Sequence, residues 1–317
     1  MTRIALIAIG GNALVLDGEP GSIPRQQERA AQFAEQVAQL VGAGWTVVVS
    51  HGNGPQVGFI LRRGELIAPE ATMEGLPELP LWLAVADSQG GIGHIIAVAI
   101  DSALHRRGLS TRAAALITHT EVDPDDPAFS TPTKPIGSQM TAEIARRRTS
   151  EEGWTVSETA PGVYRRLVAS PRPRVIFEAD HVRALATNGA VVIAGGGGGI
   201  PVVRKEDGWH SVDAVIDKDR TSALLAATVG VDVLVLVTGV DQVYVGYGTP
   251  AQRALGTITA AEARTYLAAG EFPAGSMGPK VESALEFLNS GGREAIITSL
   301  PGLRDALTGA AGTHLIS

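Results

Sequence analysis

Short runs of apolar, largely β-branched residues alternate along this chain with longer stretches of helical spacing, and that alternation restricts the fold more than any other feature. The runs are Arg3–Ile9, Trp45–Ser50, Arg112–Thr118, Ala190–Ala194, Asp232–Val237 and Glu294–Thr298. They are continuously apolar, as the strands of a parallel sheet covered on both faces are. Helical patterns occupy Pro24–Gly42, Leu81–Arg107, Asp180–Asn188, Asp219–Val229, Ala260–Ala269 and Pro279–Asn289. Repeated β-α-β order predicts a doubly wound, three-layer α/β/α sandwich with a mainly parallel open sheet. The 317 residues, 44% apolar and 19% charged, supply a core large enough for one such unit or for two closely joined halves.

Two segments break the rhythm. Thr118–Gly137 holds four prolines and four acidic residues, too long for an ordinary connection and of the kind that forms lids. With the short strands expected in Gly153–Val168, it predicts a small projecting subdomain over about 118–170. The second segment is Ile200–Val212, where apolar pairs flank Lys205-Glu206-Asp207-Gly208 and predict a hairpin with an Asp-Gly turn.

Composition excludes several function classes. The chain has no cysteine, so disulfides, thiolate zinc sites and cysteine nucleophiles are absent. A net charge of −7 argues against nucleic acid or an anionic membrane surface as partner. No uninterrupted apolar run reaches the roughly 18 residues of a membrane span. The apolar N-terminus runs straight into Gly10-Gly11-Asn12 without a cleavage site, so it reads as a buried first strand and the expected location is cytoplasmic.

Glycine clusters follow three predicted strands: Gly10-Gly11-Asn12, Gly52-Asn53-Gly54 and Gly195 to Gly199. In a parallel sheet these turns share the carboxyl edge, where ligands of open α/β folds bind. Each alone serves as a tight turn. Three on one edge point to main-chain amides approaching a phosphate. Two familiar nucleotide motifs are nevertheless missing. No Gly-Lys pair exists to make a P-loop, and Ile200-Pro201 prevents Gly195–Gly199 from completing G-x-G-x-x-G.

The lysines narrow the chemistry. Only four occur, Lys134, Lys205, Lys218 and Lys280, against 22 arginines. Lys218, within Asp217-Lys218-Asp219, and Lys280, after Ser276-Met277-Gly278-Pro279, open predicted helices, where a cation is disfavoured unless an anion is bound. Lys134 lies in the long excursion; Lys205 reads as a solvated hairpin lysine. Amides around phosphates, ammonium groups on a moving phosphoryl and carboxylates to position them are what phosphoryl transfer requires. No Ser/His/Asp set or paired-histidine metal spacing competes with this reading.

Taken in order, Ala8–Leu14, Ser50–Gly58, Asp126–Phe129, Pro132–Gly137, Gly195–Val202, Ala214–Asp219 and Gly275–Lys280 resemble the motifs of the carbamate kinases, a branch of the amino-acid-kinase superfamily. The resemblance covers nearly all of residues 1–317. It implies one domain with an eight-stranded sheet and a projecting subdomain, an acceptor half to about residue 200, a nucleotide half beyond it, and a homodimer. The implied reaction is reversible phosphoryl transfer between ATP and carbamate, giving ADP and carbamoyl phosphate, with Mg²⁺ held chiefly by the nucleotide phosphates and no dedicated protein metal site. Carried over by position, Lys134, Lys218, Asp219 and Lys280 are catalytic. Gly10, Gly11, Asn12, Gly52, Asn53, Gly54 and Asp217 line the substrate and phosphoryl group. Thr238, Val243, Tyr244, Ser276, Met277 and Gly278 meet the nucleotide. Two alternatives remain beside it: a related kinase acting on another small carboxylate, and a non-catalytic nucleotide-binding protein.

The chain departs from the family pattern in three places. Gly91 and His94 stand where aromatics are common, as do Ser138-Gln139-Met140, and Gly239 replaces a frequent acidic residue. The first two departures are expected to reshape the lid side and the third to loosen the nucleotide.

Overall fold

The computed structural model describes residues 3–10, 14–15, 21–74, 79–273 and 275–317. Gly11 and Asn12 lie outside them. Eight strands build the central sheet: β1 (Ile4–Ile9), β2 (Thr46–His51), β3 (Ala113–Ala115), β4 (Val191–Ile193), β5 (Val233–Thr238), β6 (Thr257–Thr259), β7 (Glu294–Ser299) and β8 (Thr313–Ile316). Their spatial order is β6-β8-β7-β5-β1-β2-β4-β3. All pairings are parallel except β7 with β8. The three-layer, mainly parallel eight-stranded architecture therefore holds.

The continuous apolar runs work because each strand feeds two cores. Along β1, Leu6 and Ala8 point into one cluster while Ala5, Ile7 and Ile9 point into the other, the period of two imposed by the strand. The Ala5 side is covered by α1 (Ile23–Gly42) and α3 (Leu81–Arg106). The Leu6 side is covered by α4 (Ala179–Thr187), α5 (Lys218–Val229), α6 (Ala260–Ala268) and α7 (Met277–Asn289). Side chains such as Ile7 and Leu6 are fully buried, so truncating either to alanine is expected to lose about 2–5 kcal/mol.

A further helix, α2 (Gly54–Glu74), has no counterpart among the sequence expectations. Its opening Gly54-Pro55 reads as a turn, and Gly58 and Gly64 dilute its pattern. Among the described residues α3 is the one helix long and apolar enough to cross a membrane by length and composition. Ala84, Val85, Ile92, Ile96, Ile100 and Leu104 along it are buried in the fold.

The excursion after β3 divides in two. His119–Val122 joins a four-stranded sheet with Pro173–Ile176, Ile200–Lys205 and Gly208–Ser211, the last two forming the hairpin expected at Asp207-Gly208. Residues 134–168 form a separate three-stranded sheet (Lys134–Met140, Val163–Val168, Thr155–Ala160) carrying the helix Ala142–Glu152. This lid leans on α2 and places Lys134 over the carboxyl edge of the main sheet.

Candidate active site

A cleft of about 1050 Å³ runs along that carboxyl edge. Three helix N-termini open onto it: Gly54 of α2, Lys218 of α5, and Met277, Pro279 and Lys280 of α7. The helix dipole makes each end favourable for an anion.

At the centre sits Asp219, only 5% exposed. Its Oδ2 accepts a hydrogen bond from Lys280 Nζ at 2.8 Å, and its Oδ1 accepts from Lys218 Nζ. One carboxylate thus aligns two ammonium groups that arrive from different helices. The neighbouring Asp217 caps α5: its Oδ1 accepts from the amides of Asp219 at 2.9 Å and Arg220 at 3.3 Å. Its Oδ2 lies 3.6 Å from Lys134 Nζ, which also donates to the Ile216 carbonyl at 3.0 Å.

The electrostatics of this cluster call for a ligand. Burial favours the neutral form of Asp219, but the charges and hydrogen bonds of Lys218 and Lys280 outweigh it and hold the carboxyl below the ordinary range. Burial pushes Lys218 below the usual lysine value despite Asp219, and pushes Lys134 down despite Asp217. Three lysines meet two aspartates, leaving an excess positive charge in a half-desolvated cleft. An anion such as a phosphate chain favours the charged form of these lysines and balances the charge.

Gly52, Asn53 and Gly54 line the same cleft. Asn53 is buried and fixed, its Nδ2 donating to Ser88 Oγ at 2.9 Å. Gly54 lines the cleft, and a Cβ on it would meet nothing within 4 Å. The run Gly195–Gly199 has a different use. A Cβ on Gly197 (φ +63°) would fall 2.2 Å from Asn53 Nδ2, and one on Gly198 (φ +91°) 2.5 Å from the Ile216 carbonyl. These glycines make room for protein groups that shape the site; of the run, Gly197 alone lines the cleft. Beside them His51 is buried, its ring hydrogen-bonded through Nδ1 to the Gly52 carbonyl at 3.1 Å. Desolvation lowers its pKa to about 4.

The structure gathers Gly10, Gly52, Asn53, Gly54, Lys134, Asp217, Lys218, Asp219, Thr238, Tyr244, Ser276, Met277 and Lys280 around one cleft. Val243 and Gly278 do not reach its wall. Strand alternation turns Val243 into the core while its neighbour Tyr244 faces out, and Gly278 is buried in the first turn of α7, its amide donating to the Pro273 carbonyl at 3.0 Å. Arg29 and Gln32 of α1, Val57, Tyr247, Pro273 and the Ser299-Leu300-Pro301 turn also line the cleft and were not anticipated. Tyr247 carried a signal: it follows Tyr244 by three residues in a glycine-flanked loop, in a chain with only four tyrosines. Gly91 and His94 face outward on α3, away from the cleft, so they do not reshape the lid side. Gln139 and Met140 line a separate cavity of about 80 Å³ between the lid and α2.

Residues 3–299 match the amino acid kinase family, and the chain belongs to that family. Its relatives place it more narrowly, among the carbamate kinases. It is 44% identical over 318 residues to the carbamate kinase-like protein YahI of Escherichia coli (100% of this chain, 99% of that protein). It is 40% identical over 316 residues to the carbamate kinase of Pyrococcus furiosus, each covered in full. The carbamate kinase of Giardia lamblia solved with AMP-PNP superposes with a TM-score of 0.91 at 38% identity, over 99% of this chain and 98% of that one.

Proposed function

We propose that this protein is an ATP-dependent carbamate kinase, transferring a phosphoryl group reversibly between ATP and carbamate. The observation that carries the reading is the pair of lysines held by one buried aspartate in the cleft that Gly52, Asn53 and Gly54 also line. The nucleotide base lies toward Thr238, Tyr244 and Ser276–Met277, with the phosphates running to Lys218 and Lys280. The acceptor lies beneath Lys134, beside Asn53. An acceptor oxygen forms the new bond to the γ-phosphorus as the bond to the β-phosphate oxygen breaks, and that oxygen leaves with the electron pair on ADP. The lysines and the amides at the start of α2 neutralise charge on the phosphoryl in flight.

Mg²⁺ fits this site as a passenger of the nucleotide. Among the described residues no group of three or more histidines and carboxylates forms a cage, and both active-site aspartates are engaged by lysines or amides. Held on the phosphate oxygens, the ion supplies charge neutralisation. We also assign a homodimer, supported by the outward apolar residues Leu83 and Val98 of α3 and the open edge at β3; light scattering is expected to give twice 32.9 kDa. The decisive experiment couples ATP formation to ADP and carbamoyl phosphate, with other acyl phosphates alongside. Turnover with carbamoyl phosphate in clear preference is expected. A folded protein that makes no ATP contradicts the reading.

A further inference from the structure

Gly58 and Gly137 bring the backbones of α2 and the lid strand 134–140 into direct contact. A Cβ on Gly58 would lie 3.0 Å from Gly137 Cα and 3.4 Å from Gly137 N and C, tighter than ordinary contact, so a side chain there requires the strand backbone to shift by a few tenths of an ångström. Glycine inside a helix is less stable than alanine, and this close approach supplies the reason for it at 58. Gly64, farther along α2, makes the contrast: a Cβ there would meet only Leu79 at 3.8 Å, an ordinary contact.

The lid strand is shaped to reach the contact. Ile136 pairs with Arg166 and Met140 with Tyr164, so the strand bulges between them. Gly137 sits in the bulge at φ +70°, a conformation that favours glycine, and its carbonyl accepts from Arg165 Nη2 at 3.1 Å. Val57, Leu61, Ile136 and Val168 pack around it. Farther out, Glu65 of α2 pairs with Arg148 of the lid helix at 3.3 Å.

Both sides of the contact lead to the reacting centre. Lys134 lies three residues before Gly137, about 10 Å along an extended strand, and Gly54 lies one helical turn before Gly58. We propose that the Gly58–Gly137 contact is the seat that fixes where Lys134 stands over the acceptor, which makes Gly58 a positioning residue for phosphoryl transfer. The inference rests on the kinase reading above.

The test compares Gly58→Ala with Gly64→Ala, two identical changes in one helix. Gly58→Ala is expected to lower kcat at least tenfold with the nucleotide Kd within twofold of the unaltered protein. Gly64→Ala is expected to leave kcat within twofold. Arg165→Ala, which removes the lid-side hydrogen bond to the Gly137 carbonyl, is expected to lower kcat three- to fivefold. In a Lys134→Ala background the Gly58→Ala loss should shrink below twofold, because the lysine it positions is gone. A tenfold loss that persists there, or an unchanged kcat in Gly58→Ala, overturns the seat. If the unaltered protein makes no ATP, the kinase reading fails instead, and hydrogen exchange decides the seat independently. Amides of 134–168 should exchange at least fivefold faster in Gly58→Ala than in Gly64→Ala, and equal rates overturn it.

Discussion

The two best-described glycine clusters on the carboxyl edge, Gly52–Gly54 and Gly195–Gly199, look alike in sequence and do opposite work. Around Gly54, which lines the cleft, the space a side chain would take is empty. Around Gly196, Gly197, Gly198 and Gly199 that space holds the His51 ring, the Asn53 amide, the Ile216 carbonyl and the Thr120 hydroxyl. One cluster leaves room for a ligand. The other lets the protein close on itself, so that Asn53 and the loop before Lys218 come within reach of that ligand. A glycine cluster at a sheet edge therefore marks a close approach, and only the tertiary crossing decides whether the visitor is substrate or protein.

Lys218→Ala bears on the ligand-facing side and carries the largest expected effect. Turnover should fall by about 10²–10³ or more with the thermal midpoint kept, since Lys280 still pairs with Asp219. Retained turnover would remove the ligand-facing side of the comparison. Next come matched substitutions in the two clusters. Gly54→Ala should keep the thermal midpoint and lose about tenfold or more in turnover, its methyl group standing where the phosphoryl passes. Gly198→Ala should lose stability by about 2–3 kcal/mol or more, because its φ is left-handed and its Cβ meets a carbonyl. The opposite pattern would show the roles to be exchanged.

A subtler effect sharpens the charge argument. Lys218 must be protonated to act, and burial holds its pKa below the ordinary 10.5, so activity declines as pH rises through that lowered value. Asp219→Asn removes the charge that partly restores it, so the alkaline limb should move to lower pH; an unmoved limb would show that Lys218 does not govern it.

The most gradual effect concerns His51, at the junction of the two clusters. Unfolded, it takes a proton near pH 6.5; folded, it resists until about pH 4. The unfolded state binds more protons in that window, so stability is lost progressively as pH falls from 6.5 toward 4, by about 3 kcal/mol at most. His51→Asn should flatten that slope in denaturant titrations.

How much of this was legible in the sequence follows from the same contrast. Five of the six apolar runs declared their strands through burial on both faces, which leaves few polar positions to blur them, while Arg112–Thr118 yields only the short, half-buried edge strand Ala113–Ala115. The lysines declared the site because only four exist and two open helices. The helix α2 stayed hidden, since Gly54-Pro55 reads as a turn and Gly58 and Gly64 dilute the helical pattern, Gly58 for a tertiary contact with Gly137 that no local pattern records. Strand β8 is short and runs antiparallel to β7, outside the β-α-β rhythm. Val243 was taken with Tyr244 because adjacency in sequence says nothing of which face a strand residue takes. Asn53 against Gly197 joins residues far apart in the chain, and no local pattern records such a crossing.

The central claim is geometric: a phosphoryl group in transit lies between the two lysines on Asp219 and the open turn at Gly52–Gly54. A crystal structure with ADP and a planar metal-fluoride mimic of that group tests it most directly. The account predicts the mimic within hydrogen-bond distance of Lys218 Nζ, Lys280 Nζ and the Gly54 amide, with the nucleotide base toward Tyr244. A mimic seated elsewhere, or a phosphate chain running away from both lysines, would contradict it.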